Sequence, residues 1–395
     1  MTVMDKHYIN EKYRSAMARI SGAAGEPNSA DFSATVMDLQ SISEFSPGAK
    51  AKLAVLTELG AGTKQDSASA ADMFLSAAGS GLPPLVRELG TLVLMQGGAD
   101  GLAGTLLKQA AMAGDWIAGF LILREAGRGR YFINKKNLLS LAASISPNVP
   151  FVEHIKTTIS ELSDDIQPIS DMACDADICR RASTMPKSYT EPENTILHLA
   201  DPVVKSRTAV LTPFQCDYLI AMSVALMQPS KVVDADIADS KKQGYRTSDG
   251  AVLLPHSLDR PLIRILNHVN HAAGVKPEHG EFLALLRYQP GQEYYPHHDY
   301  LHEDAADYSK VKSCGQRAAT ILTYLNDEYV GGETTFPTLN IDYKGGVGDS
   351  LYFTNTDVDG DPIPASLHAG RAITSGEKWL ATLWIREKPF WPWAS

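Results

Sequence analysis

The sequence predicts an α+β chain of more than one domain. An all-α N-terminal part precedes a C-terminal β-sandwich or jelly roll with flanking helices. Through about residue 130, apolar residues recur at helical spacing in a stretch rich in Ala, Leu and Gly. After residue 195, short β-rich runs alternate with Gly-containing turns. A length of 395 residues is also typical of two or three domains.

The N-terminal part contains an internal repeat. The segment Ala70–Gly81 has a counterpart in Leu106–Gly114, and the Ala-Ala pair and the following Gly of each are offset by 33 residues. The stretch Ser46–Gly60 is interpreted as a degenerate earlier unit. A period in the low thirties, with small residues where helices cross, resembles Sel1-like or tetratricopeptide-type repeats of stacked helical hairpins. An Ala-rich helical bundle without true repeats is the alternative.

We predict a helical-repeat domain over residues 1–165, a linker over 166–194 and a second domain over 195–395. Helices at Lys136–Ile145 and Val152–Leu162 end the first domain. The stretch Asp164–Asn194 is polar, carries several Asp, Pro and Ser, and has little periodicity. This composition is typical of a domain boundary.

The second domain is predicted to place two helices, Thr212–Met227 and Arg260–Ala273, before most of its strands. Turn signals such as Pro-Gly and Gly-Gly separate the β-rich runs. The runs are Phe282–Tyr288, Ala318–Leu325, Ser350–Thr354, Arg371–Thr374 and Trp379–Ile385. Helices followed by many short strands favour a jelly roll with helices packed on one sheet.

Charge and composition exclude several classes of protein. The 36 basic and 46 acidic residues give a net charge of −10, so bulk electrostatics attract neither nucleic acid nor an anionic membrane, and we expect neither as a partner. The longest apolar run, Trp116–Leu123, is far shorter than the roughly 20 residues of a membrane span. Four cysteines are too few for a disulfide-framed secreted domain, and the first residues lack a signal-peptide pattern. We expect a cytoplasmic protein.

Three residues are candidate metal ligands. His297 and Asp299 occupy positions i and i+2, which face the same side of a strand. His368, which follows 71 residues after His297, is the candidate third ligand. Two histidines and one carboxylate form the facial triad of non-haem Fe(II) oxygenases, which leaves positions open for a cosubstrate and O2. A cupin-like enzyme that uses Zn2+ or Mn2+ is the alternative.

Lys378 is the candidate anchor for the cosubstrate. It follows His368 by 10 residues, across a turn at Ser375-Gly376, so a hairpin would return it to the metal strand. A buried ammonium group is costly unless an anion pairs with it. The C5 carboxylate of 2-oxoglutarate would supply that anion.

Many short motifs occur in an order that is highly specific for one family. They are Thr212–Cys216, Tyr245–Ser248, Arg287–Asp299, Arg317–Asn326, Gly331–Thr334, Phe336-Pro337, Gly348-Asp349, Ser366–Gly370 and Lys378-Trp379. Through them, residues 195–388 resemble the prolyl 4-hydroxylase family of Fe(II)- and 2-oxoglutarate-dependent dioxygenases. The resemblance implies a double-stranded β-helix, with His297, Asp299 and His368 on Fe(II) and Lys378 on 2-oxoglutarate. It also implies a requirement for O2 and L-ascorbate.

The same resemblance implies roles for five further residues. Tyr288 and Thr334 would hydrogen-bond the cosubstrate, and Tyr294, Arg317 and Trp384 would line the substrate groove. Ordinary core packing is the alternative for the two groove aromatics, and a structural ion pair is the alternative for the arginine.

Two positions depart from patterns common in the family. Arg371 stands where Cys is frequent, and Arg386 stands where some members have His. Both departures concern the choice of substrate.

The implied reaction is hydroxylation of an unactivated C–H, foremost that of a prolyl residue in a protein or peptide, with formation of succinate and CO2. Helical repeats usually present a concave surface to a polypeptide, which favours a protein substrate or partner. The alternatives are a hydroxylase of a free amino acid or small metabolite, and a non-catalytic interaction protein built from a repeat module and a degenerate barrel.

Overall fold

The computed structural model describes residues 5–22, 32–146, 148–186, 194–230, 247–302 and 309–391. The chain divides into two compact units. The helical unit contains the described residues up to 186 together with 258–264, and the β unit contains the remaining described residues. No helix in these described ranges is both long and apolar enough to cross a membrane.

The helical unit is built from helices that pack on their neighbours in sequence, α1 with α2, α3 with α4 and α5 with α6. Their bounds are α1 Lys6–Gly22, α2 Phe32–Ile42, α3 Pro47–Leu59, α4 Ser67–Ala78, α5 Pro83–Gln96, α6 Asp100–Met112, α7 Trp116–Gly127, α8 Lys135–Ser144, α9 Val152–Glu161 and α10 Ala176–Ser183.

The predicted repeat coincides with two helical hairpins. α4 and α6 contain the two matching segments, and α3 covers most of the degenerate unit. Ala77 and Ala110, offset by 33 residues, are 1% and 0% exposed, so these small side chains are buried at matching positions of the two segments. Gly81 and Gly114 end the two hairpins with φ values of +78° and +94°, a backbone region that favours glycine. The prediction of a helical-repeat region is confirmed here.

The predicted linker contains a helix, α10, that the sequence pattern does not predict. It packs against α4 and α5. Asp175 caps its start, because the carboxylate accepts a hydrogen bond of 2.9 Å from the Ile178 backbone N–H. Cys179 and Ala182 are buried at helical spacing. A helix of only 8 residues in an acidic segment gives too little periodicity to be recognised from sequence. Residues 187–193 lie outside the described part, so the extent of a linker stays a prediction.

From residue 194 onward, the described ranges contain three α-helices and fourteen strands, and the first residues of α12, 260–264, are counted with the helical unit. The helices are α11 Pro213–Val224, α12 Arg260–Ala273 and α13 Ser309–Cys314. The strands are β1 Thr195–Ala200, β2 Val203–Arg207, β3 Gln228-Pro229, β4 Asp249–Val252, β5 Ala284–Tyr288, β6 Tyr294–His297, β7 Arg317–Tyr324, β8 Tyr329–Gly331, β9 Thr334–Phe336, β10 Ile341–Tyr343, β11 Ser350–Thr354, β12 His368–Gly370, β13 Ile373–Gly376 and β14 Lys378–Arg386.

Two antiparallel sheets enclose the core of the β unit. The large sheet has the strand order β1-β2-β11-β7-β14-β5-β4-β3, and the small sheet has the order β10-β9-β12-β6. A separate pair is formed by β13 and β8. Leu322 and Leu380 from the large sheet pack in one buried cluster with Phe336 from the small sheet. The predicted jelly roll with flanking helices is confirmed.

Candidate metal and cosubstrate site

Three buried side chains converge at one edge of the small sheet. β6 and β12 pair so that His297 lies directly opposite His368. Asp299 lies in the bend after β6, beyond the strand end, so strand alternation does not explain its position. Its Oδ1 is 3.8 Å from His297 Nε2, and its Oδ2 is 3.6 Å from His368 Nε2. The potential ligand atoms all lie within 4.8 Å of one another.

Backbone carbonyls orient both imidazole rings. His297 Nδ1 lies 2.8 Å from the Tyr295 carbonyl oxygen, and His368 Nδ1 lies 3.0 Å from the Ser366 carbonyl oxygen. Because a carbonyl oxygen only accepts, each Nδ1 carries the proton and donates it. In the neutral tautomer that these hydrogen bonds favour, each Nε2 has a free lone pair that faces the cluster, as a metal-binding histidine requires.

The Asp299 carboxylate stays ionised although it is buried. Burial alone would raise its pKa, but His368 and His297 nearby and a hydrogen bond from Thr320 outweigh burial and hold the pKa of Asp299 below its usual range. The Thr320 Oγ1–H donates to Asp299 Oδ2 over 2.7 Å. Asn355 Nδ2 in turn donates to Thr320 Oγ1 over 2.9 Å.

This donor set fits Fe(II). Two imidazoles and one carboxylate, all on one side of a common point, are the ligands of the non-haem iron triad. Within the described ranges, no other group of three or more His, Cys, Asp or Glu side chains has this spacing. The cluster lines a cavity whose empty space, including the open solvent at its mouth, is about 500 Å³. The cavity therefore gives a second ligand access to the side of the cluster that faces solvent.

Lys378 places a buried cation in the same cavity. Its side chain is 3% exposed, and its Nζ donates to the Gly332 carbonyl oxygen over 2.7 Å. Burial lowers the pKa of Lys378 to about 7, although the nearby Glu333 opposes this effect. A bound carboxylate would restore the charged form, so the site is suited to an anion.

The two predicted cosubstrate partners lie around this lysine. Tyr288 pairs with Lys378 across β5 and β14, and Thr334 lies on β9 of the small sheet. Both side chains line the cavity. Thr334 Oγ1 is 2.7 Å from the Tyr324 hydroxyl, and burial raises the pKa of Tyr324 well above its usual value. The neutral Tyr324 hydroxyl can therefore orient the Thr334 hydroxyl toward a ligand.

Two of the three predicted groove residues line the cavity. Tyr294 stacks on the His297 ring with 3.5 Å between centroids, and Trp384 lies in the cavity wall. Arg317 does not line the cavity. Its guanidinium lies 4.0 Å from the Trp384 ring centroid and forms an ion pair with Glu281, with 2.7 Å between Nε and Oε1. Its Nη1 also donates to the Asp299 backbone carbonyl oxygen over 3.4 Å. These contacts agree with the structural alternative, and a role of Arg317 in binding substrate stays a prediction.

A charged cluster that was not predicted from the sequence supports this wall. Arg386 is 1% exposed, and its Nε lies 2.6 Å from Glu281 Oε1. Burial alone would raise the pKa of Glu281, but Arg317 and Arg386 outweigh it and hold the pKa below its usual value. No motif marks Glu281. The sequence offered two signals for the cluster, the structural ion pair considered for Arg317 and the unusual arginine at position 386.

Comparisons with known proteins agree with this geometry. A family model described as the 2OG-Fe(II) oxygenase superfamily matches residues 283–386, which include the histidines, the aspartate and the lysine. Prolyl 4-hydroxylase 1 of Arabidopsis thaliana is 35% identical over 229 residues, or 54% of this chain and 76% of the relative. Probable prolyl 4-hydroxylase 10 of the same plant is 36% identical over 195 residues, or 45% of this chain and 66% of the relative.

A solved structure also aligns with part of the chain. It is the viral collagen prolyl hydroxylase of Paramecium Bursaria Chlorella virus-1 in its 2OG complex. It is 28% identical, covers 46% of this chain and 95% of its own, and has a TM-score of 0.35.

Proposed function

We propose that this chain, which belongs to the prolyl 4-hydroxylase family of 2-oxoglutarate- and Fe(II)-dependent dioxygenases, hydroxylates prolyl residues of a protein or peptide. The substrate C–H, O2 and 2-oxoglutarate would give the C–OH product, succinate and CO2. The observation that carries the proposal is the shared cavity of His297, Asp299 and His368 with the buried Lys378.

Each group in this cavity has a distinct task. His297, Asp299 and His368 would hold Fe(II), which together with 2-oxoglutarate and O2 supplies the oxidising chemistry. Lys378 would bind the C5 carboxylate and fix the direction of the cosubstrate. Leu286 and other apolar side chains of the cavity wall would limit the access of water to the space between the lysine and the metal ligands once the cosubstrate is bound.

A prolyl substrate is supported by two observations. Relatives that are 35% and 36% identical to this chain over the aligned residues are named as prolyl 4-hydroxylase and probable prolyl 4-hydroxylase. Tyr294 and Trp384 also give the cavity aromatic walls, and an aromatic face suits an apolar pyrrolidine ring. A free amino acid or small metabolite is the alternative substrate.

Three further parts of the proposal rest on the sequence and on the helical unit. L-Ascorbate would keep the iron reduced between turnovers. Stacked helical hairpins in general present extended surfaces to polypeptides, so we propose that the helical unit binds a protein substrate or partner. The acidic composition and the few cysteines support a cytoplasmic location.

The test is turnover with a library of proline-containing peptides in the presence of Fe(II), 2-oxoglutarate and ascorbate. We expect release of succinate and a mass gain of about 16 Da, one oxygen atom, on a prolyl residue. His368→Ala should abolish both, because one metal ligand is lost, whereas His154→Ala, at an exposed position of α9, should keep both.

Two results would contradict the proposal. Absence of succinate with every peptide would support the non-catalytic alternative. Oxygen insertion into another residue, or into a free amino acid alone, would show that the assigned substrate is wrong while the dioxygenase assignment stands.

A further inference from the structure

One buried hydroxyl in the cavity has no assigned role. Thr382 lies on β14, is 3% exposed and lines the cavity. Its Oγ1 has no hydrogen-bond partner within the part of the chain that the structure describes. A buried hydroxyl without a partner destabilises a fold, and valine has the same shape without this penalty. A threonine at this place in a cavity wall therefore points to a hydrogen bond with a ligand.

The position of Thr382 along β14 identifies which ligand it faces. Alternate residues of a strand face the same side, and the cavity-facing residues of β14 are Lys378, Leu380, Thr382 and Trp384. Their cross-strand neighbours are Tyr288 for Lys378, Leu286 for Leu380, Leu322 for Thr382 and Thr320 for Trp384. Along β14 the cavity thus meets the cation of Lys378, then an apolar side chain, and then the hydroxyl of Thr382. The next cavity-facing position lies opposite Thr320, the residue that donates a hydrogen bond to Asp299.

2-Oxoglutarate has a matching order of groups. Its C5 carboxylate is followed by two methylenes and then by the 2-oxo acid. Thr382 lies four residues from Lys378, about 13 Å along an extended strand, so the cosubstrate and the lysine side chain together span the interval. The methylenes would pass Leu286, Leu322 and Leu380, which line this interval.

We propose that Thr382 is a cosubstrate-binding residue, whose Oγ1–H donates a hydrogen bond to the C1 carboxylate of 2-oxoglutarate. This assignment rests on the proposed function. Lys378 and Thr382 then bind opposite ends of the same molecule, and a dicarboxylate of another length cannot reach both. Trp384, two residues further along β14 on the same face, remains the residue predicted to line the substrate groove.

The test compares two ligands by equilibrium binding to the full-length protein loaded with Mn(II), which prevents turnover. One ligand is 2-oxoglutarate, and the other is 4-oxopentanoate, which keeps the carboxylate bound by Lys378 and the ketone but lacks the C1 carboxylate. Thr382→Val should weaken binding of 2-oxoglutarate about tenfold to a hundredfold, the usual effect of losing a hydrogen bond to a charged group. Binding of 4-oxopentanoate should not change. Thr382→Ser, which keeps the hydroxyl, should restore affinity for 2-oxoglutarate.

Each other result would overturn the assignment. Equal loss for both ligands would show a packing role, and wild-type affinity for both would show no role in cosubstrate binding. Wild-type affinity with an increased KM for the peptide would place the hydroxyl against the substrate. If the wild-type protein binds no 2-oxoglutarate at all, the proposed function fails; if it does and Thr382→Val binds equally well, only this inference fails.

Discussion

The Asp299 carboxylate is held by a directed chain of hydrogen bonds. The Asn355 side-chain N–H can only donate, so it occupies a lone pair of Thr320 Oγ1 and leaves the threonine proton for the carboxylate. The direction of this chain favours the ionised form of Asp299, which agrees with the lowered pKa of that group. A carboxylate fixed in this way loses little freedom when it binds a metal ion.

Thr320→Val should therefore weaken metal binding without changing the fold. Residues that hydrogen-bond a metal ligand typically contribute about 10- to 100-fold to metal affinity. We therefore expect the affinity for Mn(II) or Fe(II) to fall by about that factor. The measurement is a metal titration of the full-length protein. Thr323→Val is the matched control, because Thr323 is buried on the same strand but contacts the Ser350 hydroxyl. An equal loss of metal affinity in both variants would refute the role of Thr320.

Residues with distinctive chemistry can be predicted from the sequence, whereas their supporting residues cannot. His297, Asp299 and Lys378 belong to a rare pattern of types and spacings, and the structure brings them into one cavity. Thr320 and Thr382 lie in strands, where threonine is common for its β-branched shape alone. Only the fold shows which threonine faces the carboxylate and which faces the cavity.

At the scale of elements, the turn between β8 and β9 positions the lysine. Gly332 supplies the carbonyl oxygen that accepts from Lys378 Nζ, and it adopts a φ of +71°. A Cβ at this glycine would lie 2.4 Å from Ile373 Cδ1 and 3.3 Å from Lys378 Cδ. Both the backbone conformation and the space around it therefore require glycine.

Gly332→Ala should raise the KM for 2-oxoglutarate several-fold, because the added methyl group displaces the Lys378 side chain and its carbonyl partner. The substitution should also destabilise the protein by about 1–3 kcal/mol through the strained φ. Gly291→Ala is the control, since Gly291 has a φ of +83° but a Cβ added there would meet no atom of the described residues within 4 Å. The control should lower the melting temperature and leave the KM unchanged; a KM effect of equal size in both variants would disprove the positioning role.

Long elements were easier to predict than the short ones that carry the site. The predicted bounds of α12 and β11 agree with the structure, and β5, β7 and β14 differ from their predicted runs by two residues or fewer. β6, β9 and β12 have only three or four residues, too few for an alternating pattern to stand out. Yet β6 and β12 carry His297 and His368, so the motif identified these residues where the periodicity could not.

For the whole molecule, the division into a helical and a β part follows from a change in periodicity along the sequence, but the order of strands does not. β11 lies between β2 and β7, so residues near 205, 322 and 352 become neighbours in one sheet. Such pairings depend on which hydrophobic faces fit together in the closed core. The meeting of His297 and His368 could therefore be inferred from a resemblance, but not from local pattern.

The overall charge also bears on how an anionic cosubstrate binds. The chain carries a net charge of −10 at pH 7, which opposes the approach of a dicarboxylate. Lys378 acts against this field from inside the cavity. Salt screens the long-range charge of the molecule strongly but a buried contact only weakly, so ionic strength separates the two effects.

Binding of 2-oxoglutarate should weaken as pH rises above about 7, where Lys378 of the free protein loses its proton. Only the ammonium form pairs with a carboxylate, and the protonated fraction falls tenfold for each pH unit above the pKa, so the Kd should rise by nearly tenfold between pH 7.5 and 8.5. Below about pH 6.5 this lysine is charged and should cause no further change. The measurement is the Kd of 2-oxoglutarate against pH at low and high NaCl. High salt should reduce the repulsion between the acidic protein and the dicarboxylate at every pH, but it should keep the slope of Kd against pH. Lys378→Arg should remove that slope because arginine stays charged. A slope that disappears with salt, or that persists in Lys378→Arg, would assign the pH dependence to other groups.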